Sequence, residues 1–444
     1  MDRMRYGLWT LLLGSALLWL AAEPTFYEAD TLFAWREVMT QLSGVLAFGC
    51  MSAAMVLALR LRPVERLFGG LDKTYRLHKW LGIGALVFAL THWLWVKGPK
   101  WAVQLGWITR PPRGPRPEPS NAIEAAFRAV RGLAETMGEW AFYAAVPLLL
   151  IALLRRVPYH VFAKLHRMIP LLFLVFAFHA LVLVKFSYWG TPLGALLALE
   201  IVAGVCAAAV SLVGRIGVAR RVLGRLEAVE PLPGAGALVL TVAPQRWPGH
   251  TAGQFAFLTL DVREKAHPFT IASAWDERSP RLSFVVKALG DFTRSLPQRL
   301  RPGQEVRIEG PYGGFTFADE APRQIWVSGG VGVTPFLAAL QQKALRGSPS
   351  CPVDYFHSLT APDEAVEAWL RALAEAAGVA LHLVWPQRDG RLTGERIRAA
   401  VPQWREASLW FCGPEGFGEA LLRDFSAQGF DVRRRFHREL FAFR

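Results

Sequence analysis

Six long apolar runs constrain this chain more than any other feature. They fall near residues 6–22, 38–59, 80–96, 140–154, 169–186 and 191–213, most of them close to the roughly 20 residues that a helix needs to cross a bilayer. In hydrocarbon every backbone N–H and C=O must be satisfied within the protein, and a uniformly apolar run does this as a helix. The fold class expected for the first half is therefore a membrane all-α bundle of six spans. The run at 140–154 is short and contains Pro147. The first run has a basic start and no small-residue cleavage site, which reads as an anchor rather than a removable signal peptide.

Basic residues orient the spans. Arg60, Arg62, Arg66, Lys73, Arg76 and Lys79 lie between runs two and three; Arg155, Arg156, Lys164 and Arg167 lie between four and five. Arg215, Arg220, Arg221 and Arg225 follow run six. These clusters put both termini in the cytoplasm, with the spans in a bacterial-type inner membrane. The loop 97–138 runs against the rule, since it carries Lys97, Lys100, Arg110, Arg113, Arg116, Arg128 and Arg131 yet falls outside. The formal net charge of +14 sits beside the spans and so faces lipid headgroups; it does not describe a nucleic-acid-binding face. Four cysteines, with Cys50 and Cys206 inside apolar runs, make neither a disulfide framework nor a paired CxxC metal site. The stretch "RPPRGPRPEP" (110–119) reads as an extended linker.

Two of the runs carry paired histidines: His78 and His92 around the third, His166 and His179 around the fifth. Both spans run outward in this topology and are parallel. A 14-residue step is about 21 Å along a helix and a 13-residue step about 19.5 Å. His78 can therefore meet His166 near the inner face, and His92 can meet His179 at a second, outer level. Two imidazoles at one level are the axial ligands of a haem iron, and ionisable groups inside a membrane are functional by default. No CxxCH occurs, so the expected cofactors are two non-covalent, b-type haems. One difficulty stands. Fourteen steps return His92 to within about 40° of His78, whereas 13 leave His179 about 140° from His166. Pro170 is the residue placed to distort the helix and realign them.

After about residue 222 the pattern changes to short β-like runs, "GALVLTVAP", "GQFAFLTL" and "RLSFVVKAL", broken by Gly and Pro. They predict a small antiparallel barrel over 222–318. Beyond it "RQIWVSGG" (323–330) reads as a strand, "TPFLAALQQKAL" as a helix, and "SLWFCGPEGFGEALLRDF" as a second strand–turn–helix. That alternation predicts an α/β nucleotide-binding domain over 321–444, with ligands at the carboxyl ends of a parallel sheet. In "GGVGVTPF" (329–336), Gly329, Gly330 and Gly332 allow close backbone approach to a phosphate. Thr334 is expected as the N-cap and Pro335 as the first helical residue. The third glycine of the dinucleotide fingerprint is replaced by Pro335.

Taken together these segments resemble the ferric reductase and NADPH oxidase group, in which a six-span haem domain (here 1–215) is fused to a ferredoxin-reductase-like flavin and nicotinamide module. "HPFT" resembles the group's flavin motif (His267, Pro268, Phe269, Thr270), and "KALGDFT" its flavin-phosphate segment (Lys287, Gly290, Asp291, Phe292, Thr293). "GPYG" (310–313) resembles the end of its barrel, while "GGVGVTPF" and "CGP" (Cys412, Gly413, Pro414) resemble its nicotinamide-side motifs. The resemblance implies that Cys412 lies near the nicotinamide and that Phe443 shields the flavin, with Phe441 as competitor. It implies FAD, two haem b, and NADPH or NADH as electron donor. A nicotinamide gives two electrons as hydride and haem takes one at a time, so a flavin is the required converter.

The function expected is transmembrane electron transfer from cytosolic NAD(P)H to an outer acceptor. Oxygen leaving as superoxide is preferred to a ferric chelate. A haem subunit feeding a dedicated protein partner is the alternative of another class. No obligatory protein partner and no nucleic acid are expected; membrane lipid is. A ribose 2′-phosphate usually needs an Arg or Ser beside it; "YFHSLTAPDEA" supplies Ser358 but no Arg, while Arg388 and Arg391 lie in the next strand–loop, which predicts use of both NADPH and NADH with only modest preference.

Overall fold

The computed structural model describes residues 2–110, 118–154, 156–232, 236–261, 266–287, 291–347, 351–359 and 364–439. The chain divides into two units, Met1–Phe68 with Lys73–Ile216, and Gly69–Asp72 with Gly217–Phe441.

The first unit is helical. It contains α1 (Asp2–Ala22), α2 (Leu32–Ala58), the short α3 (Arg62–Phe68), α4 (Leu71–Gln104), α5 (Ala122–Leu153), α6 (Tyr159–His166), α7 (Ile169–Leu183) and α8 (Pro192–Leu212). Among the described residues six segments are long and apolar enough to cross a membrane, the fifth being Val161–Leu183. Their ends are set by local chemistry. The Thr31 hydroxyl accepts from the Ala34 amide at 3.2 Å and starts α2. Asn121 caps α5 by accepting from the Glu124 amide at 2.9 Å, and the Glu124 carboxylate accepts in return from the Ser120 amide at 2.7 Å. This is the reciprocal logic of a capping box. Thr191 caps α8, where Pro192 needs no amide partner.

The fifth span is broken. α6 stops at His166, a turn at Arg167–Met168 follows, and α7 starts at Ile169. Pro170 falls in the first turn of α7, where its missing N–H has no intrahelical partner to lose. Arg167 and Met168 keep right-handed helical backbone, and the Met168 amide donates to the Leu165 carbonyl at 3.0 Å; the interruption is thus the local distortion expected just before Pro170, whose ring crowds the carbonyl four residues earlier.

The second unit holds two sheets. β1 (Arg221–Leu232), β2 (Ala237–Pro244), β3 (Phe255–Thr259), β4 (His267–Thr270), β5 (Leu282–Lys287) and β6 (Glu305–Tyr312) form an antiparallel sheet in the order β4-β3-β6-β1-β2-β5. It curls until its edges meet at a single bridge, Ile271 to Phe284, beside an Ala272 amide that donates to the Ser283 carbonyl at 2.7 Å. Leu240, Leu258, Ile271, Phe284 and Ile308 fill the interior. Helix α9 (Asp291–Arg299) lies between β5 and β6 in the chain.

β7 (Gln324–Gly329) opens the parallel sheet. It is followed by α10 (Thr334–Arg346), β8 (Val353–Ser358), α11 (Glu364–Ala376), β9 (Ala380–Val384), α12 (Pro386–Asp389), α13 (Gly394–Ala400), β10 (Ser408–Cys412), α14 (Glu415–Ala427), α15 (Val432–Arg435) and β11 (Phe436–Arg438). The order is β11-β10-β7-β8-β9. β7 and β10 are buried along their whole length, which is why they read as continuous apolar runs rather than alternating ones. Asp319 fastens the sheet edge: it accepts from Trp410 Nε1 at 3.1 Å and Gln324 Nε2 at 3.2 Å, and Trp410 stacks on His437 at 4.0 Å.

Candidate functional site

In the helical unit the four singled-out histidines meet in the two expected pairs. The rings of His78 and His166 have centroids 6.0 Å apart, and those of His92 and His179 are 6.1 Å apart. An imidazole nitrogen lies about 1.1 Å from its ring centroid and about 2 Å from a metal it binds, so two rings facing one metal from opposite sides would stand about 6.2 Å apart. Both pairs match that span.

Three of the rings are oriented by backbone. His78 Nδ1 is 2.9 Å from the Ala54 carbonyl, His92 Nδ1 2.9 Å from that of Thr40, and His179 Nδ1 2.9 Å from that of Ala134. A carbonyl held by Nδ1–H fixes the tautomer and leaves Nε2 with a free lone pair, the arrangement that suits a histidine to bind a metal. His166 differs, because its buried Nδ1 has no hydrogen-bond partner among the described residues. Close packing enforces the outer level. A Cβ built on Gly138 would lie 2.0 Å from His179 Nδ1, so only glycine lets α5 pass over that ring. The break between α6 and α7 resolves the phase problem, since residues on either side of it need not share one helical face.

In the other unit, His267, Pro268, Phe269 and Thr270 make up β4, which pairs along β3 with Leu258, Phe257, Ala256 and Phe255. Pro268 suits a strand at the rim of a sheet, where a missing amide interrupts no ladder. Lys287 ends β5 opposite Ala237. Gly290 lies outside the described residues, and α9 begins directly after it with Asp291, Phe292 and Thr293. The first-turn amides of that helix are an anion-binding arrangement one short loop from Lys287.

The nicotinamide-side motifs come together at the carboxyl ends of β7 and β10, which pair in parallel with Cys412 opposite Ser328. A Cβ on Gly332 would lie 2.2 Å from the Cys412 carbonyl oxygen, and one on Gly413 would lie 3.1 Å from the Gly329 nitrogen. Glycine at 332 is what allows the two loops to touch backbone to backbone. Gly330 takes the left-handed conformation, φ +58°. Pro414 is the residue before α14.

Two local expectations change. Thr334 is the first residue of α10, not its N-cap, and Pro335 is the second. A 3-10 turn over Gly330–Val333 winds Val333 into helical geometry, and the Thr334 hydroxyl donates to the Val331 carbonyl at 2.6 Å instead of receiving an amide. Cys412 is fully buried, and its thiol is pushed well up by burial and by the charge of Glu439. Phe441 and Phe443 lie outside the described residues.

Three groups escaped the sequence reading. Ser328, immediately before the glycines, bonds at 2.7 Å to His357 Nδ1 and at 2.7 Å to Tyr355 OH, all three buried. Burial pushes His357 down to about 4, so this is a neutral cluster under the loop. Glu439 next to the C-terminal segment is raised well above the usual carboxylate range by burial and then by Asp72. In the first unit, Glu200 is a buried carboxyl in α8. A lone acidic letter in a 21-residue apolar helix was the available signal for the last.

Comparison with known proteins agrees with both halves. Residues 43–177 match the ferric reductase like transmembrane component, and residues 237–316 match an FAD-binding domain. An NADPH oxidoreductase of Mycobacterium tuberculosis is 32% identical over 184 residues, covering 40% of this chain and 48% of that protein. A flavohemoprotein of Pseudomonas putida is 27% identical over 191 residues, 40% of this chain and 47% of the other. The chain thus spans about half the length of the curated relatives it matches. Among solved structures, the FAD/NAD binding domain of a Vibrio cholerae nitric oxide dioxygenase aligns with 50% of this chain and 98% of its own, at 18% identity and TM-score 0.43. Residues 43–177 are thus similar to a ferric reductase like transmembrane component and residues 237–316 to an FAD-binding domain, in a chain whose described residues include six helices long and apolar enough to cross a membrane.

Proposed function

We propose that the chain is an oxidoreductase that carries electrons from NAD(P)H, through FAD and two b-type haems, across a bilayer to an acceptor on the opposite side. The observation that carries the reading is the pairing of His78 with His166 and His92 with His179 at metal-bridging separation. In this reading His78 and His166 hold the inner haem and His92 and His179 the outer one, within a domain over 1–215. When bound, flavin turns a two-electron hydride into single electrons, and haem iron relays them one at a time.

The remaining roles belong to the chain itself. In a flavin domain over 222–318, β4 presents the backbone of His267, Pro268 and Thr270 and the ring of Phe269 to the isoalloxazine. Lys287 and the α9 amides of Asp291, Phe292 and Thr293, with Gly290 before them, neutralise the flavin phosphates. In a nicotinamide domain over 321–444, the amides beyond Gly329, Gly330 and Gly332 hold the dinucleotide pyrophosphate, with Thr334 and Pro335 fixing the helix behind them. Cys412, Gly413 and Pro414 shape the nicotinamide pocket, where a small protonated thiol leaves room for hydride. Phe443, or Phe441, covers the flavin.

If His92 and His179 together hold the outer haem, they would leave its iron no position for the acceptor, and reduction would be outer-sphere. The acceptor proposed is oxygen, which leaves as superoxide; ferric chelates are the competing substrate. The nicotinamide side is cytoplasmic in a bacterial inner membrane, with the stretch 97–138 outside; it is not one loop, since 97–104 continue α4 and 122–138 already belong to α5. Purified protein should contain about two haems per flavin by pyridine haemochrome and reduce cytochrome c with NADPH in air, with superoxide dismutase abolishing the signal. Reduction insensitive to the dismutase, with fast ferric citrate reduction under argon, would move the assignment to a ferric reductase. Labelling of a cysteine placed at Gly114 by an impermeant reagent on intact cells tests the orientation.

A further inference from the structure

Glu200 stands near the middle of α8, in a helix with no other charged residue. It is 8% exposed, and neither carboxyl oxygen has a hydrogen-bond partner among the described residues. The carboxyl points at α2: a Cβ built on Gly49 would lie 3.1 Å from Oε1. Position along α2 gives its depth. Gly49 precedes Ala54, whose carbonyl orients His78, by about 7.5 Å, and follows Thr40, whose carbonyl orients His92, by about 13.5 Å. Glu200 therefore lies between the two histidine levels.

Among the described residues, no cationic side chain on the elements that pack most against α8 pairs with it. α8 packs against α1, α2, α7 and the 3-10 turn Phe186–Gly190. After Tyr6, α1 has no ionisable side chain; α2 offers Arg36 and Glu37 in its first turns and the buried thiol of Cys50 next to Gly49. α7 contributes His179, and the 3-10 turn contributes Tyr188, which donates to Glu23. A carboxylate isolated in hydrocarbon is among the least favourable groups a membrane protein can contain. It persists there either by carrying a proton or by standing opposite a positive centre.

We propose that Glu200 is an intramembrane proton site whose occupancy follows the charge on the iron held by the histidine pairs. The proposal rests on the haem reading given above. With the iron ferric, its positive charge offsets the carboxylate. Glu200 takes one proton from water as one electron, supplied by NAD(P)H, reduces Fe³⁺ to Fe²⁺. It releases that proton when the electron passes to the acceptor. One electron and one proton enter and leave together, so the low-dielectric bundle never holds an uncompensated charge.

The test uses the full-length purified protein. Haem per flavin is measured first. Redox titration of the haem absorbance across a range of pH then gives the midpoint potentials, and redox-difference infrared spectra report the carboxylic acid C=O stretch. In the native protein the potentials should fall as pH rises, and the reduced form should gain a carboxylic acid band that shifts in D₂O. Glu200→Gln, nearly isosteric and unable to titrate, should lose both the band and most of the pH slope; Glu200→Asp should recover part of each. A native difference spectrum without that band overturns the proposal whether or not any variant folds. An unchanged slope in Glu200→Gln with normal haem content overturns it while leaving the proposed function intact. Absence of haem at the first step overturns both, and is distinguished by being measured before any titration.

Discussion

The Lys185 ammonium lies 2.6 Å from the buried Glu23 carboxylate, tying the segment after α1 to the segment after α7. Thr25 and Tyr188 hydroxyls donate to the same carboxylate, and Lys185 reaches Glu37 at 3.4 Å. Burial pushes the Glu23 carboxyl up, but the hydrogen bonds from Lys185, Thr25 and Tyr188 outweigh it and hold the group below its usual value. A depressed carboxylate contributes stability that is present above its unfolded pKa, near 4.5, and is lost as pH falls through the folded one. Glu23→Gln should cost about 3 kcal/mol, because it removes the buried charge partner and leaves the largely buried lysine with only its longer contact to the exposed Glu37. Thermal unfolding in detergent at neutral pH and below pH 4.5 checks both parts: the gap between native and variant should narrow in acid.

His179→Ala should leave one haem per flavin instead of two. Flavin reduction by NAD(P)H should continue, while electron delivery across the membrane stops. Gly138→Ala tests the same level without touching a ligand. Its methyl would enter the space of His179 Nδ1, so the variant should lose the same haem or bind it with an altered spectrum. Retention of two normal haems in Gly138→Ala would mean that α5 does not set the His179 ring.

Gly332→Ala should act on the opposite half of the chain alone. Its methyl cannot coexist with the Cys412 carbonyl, so the two loop ends must part. A displacement on the order of 1 Å at such a site commonly costs about a hundredfold in rate. Stopped-flow reduction of the flavin should slow by roughly that factor, and haem content should not change.

Donor choice follows from the end of β9. Arg388 stacks 4.2 Å over the Trp385 ring and is paired to Asp389 at 2.8 Å, so its charge is already engaged. NADPH and NADH should both be used, within about a hundredfold of each other in kcat/KM, as competition kinetics will show. Arg388→Ala should leave that ratio little changed.

What could be read beforehand was whatever depends on local pattern. Apolar runs marked the spans, short β-like runs broken by Gly and Pro marked β2, β3 and β5, and the step between histidines anticipated both ring pairs. What could not be read depends on partners far away in the chain. Glu23 gives no local sign of Lys185 or Tyr188, and Ser328 none of His357. Thr334 was misread for a different reason: a Thr-Pro pair looks like a cap, and only the preceding 3-10 turn shows that the helix has already begun. Pro170 identified the irregular span, and the distortion sits in the turn before it, where the proline ring crowds the carbonyl four residues earlier.

That break makes the two histidine-bearing spans mechanically unlike. α4 carries His78 and His92 on one unbroken helix and works as a ruler, so the distance between the two levels is set by a single rigid rod. The opposite side is a jointed arm, with His166 at the end of α6 and His179 two-thirds along α7. Each level can be adjusted in orientation without disturbing the other, while their separation stays constant. A substitution that straightened the joint would leave every ligand in place in the sequence and swing one of the four out of register by about 140°.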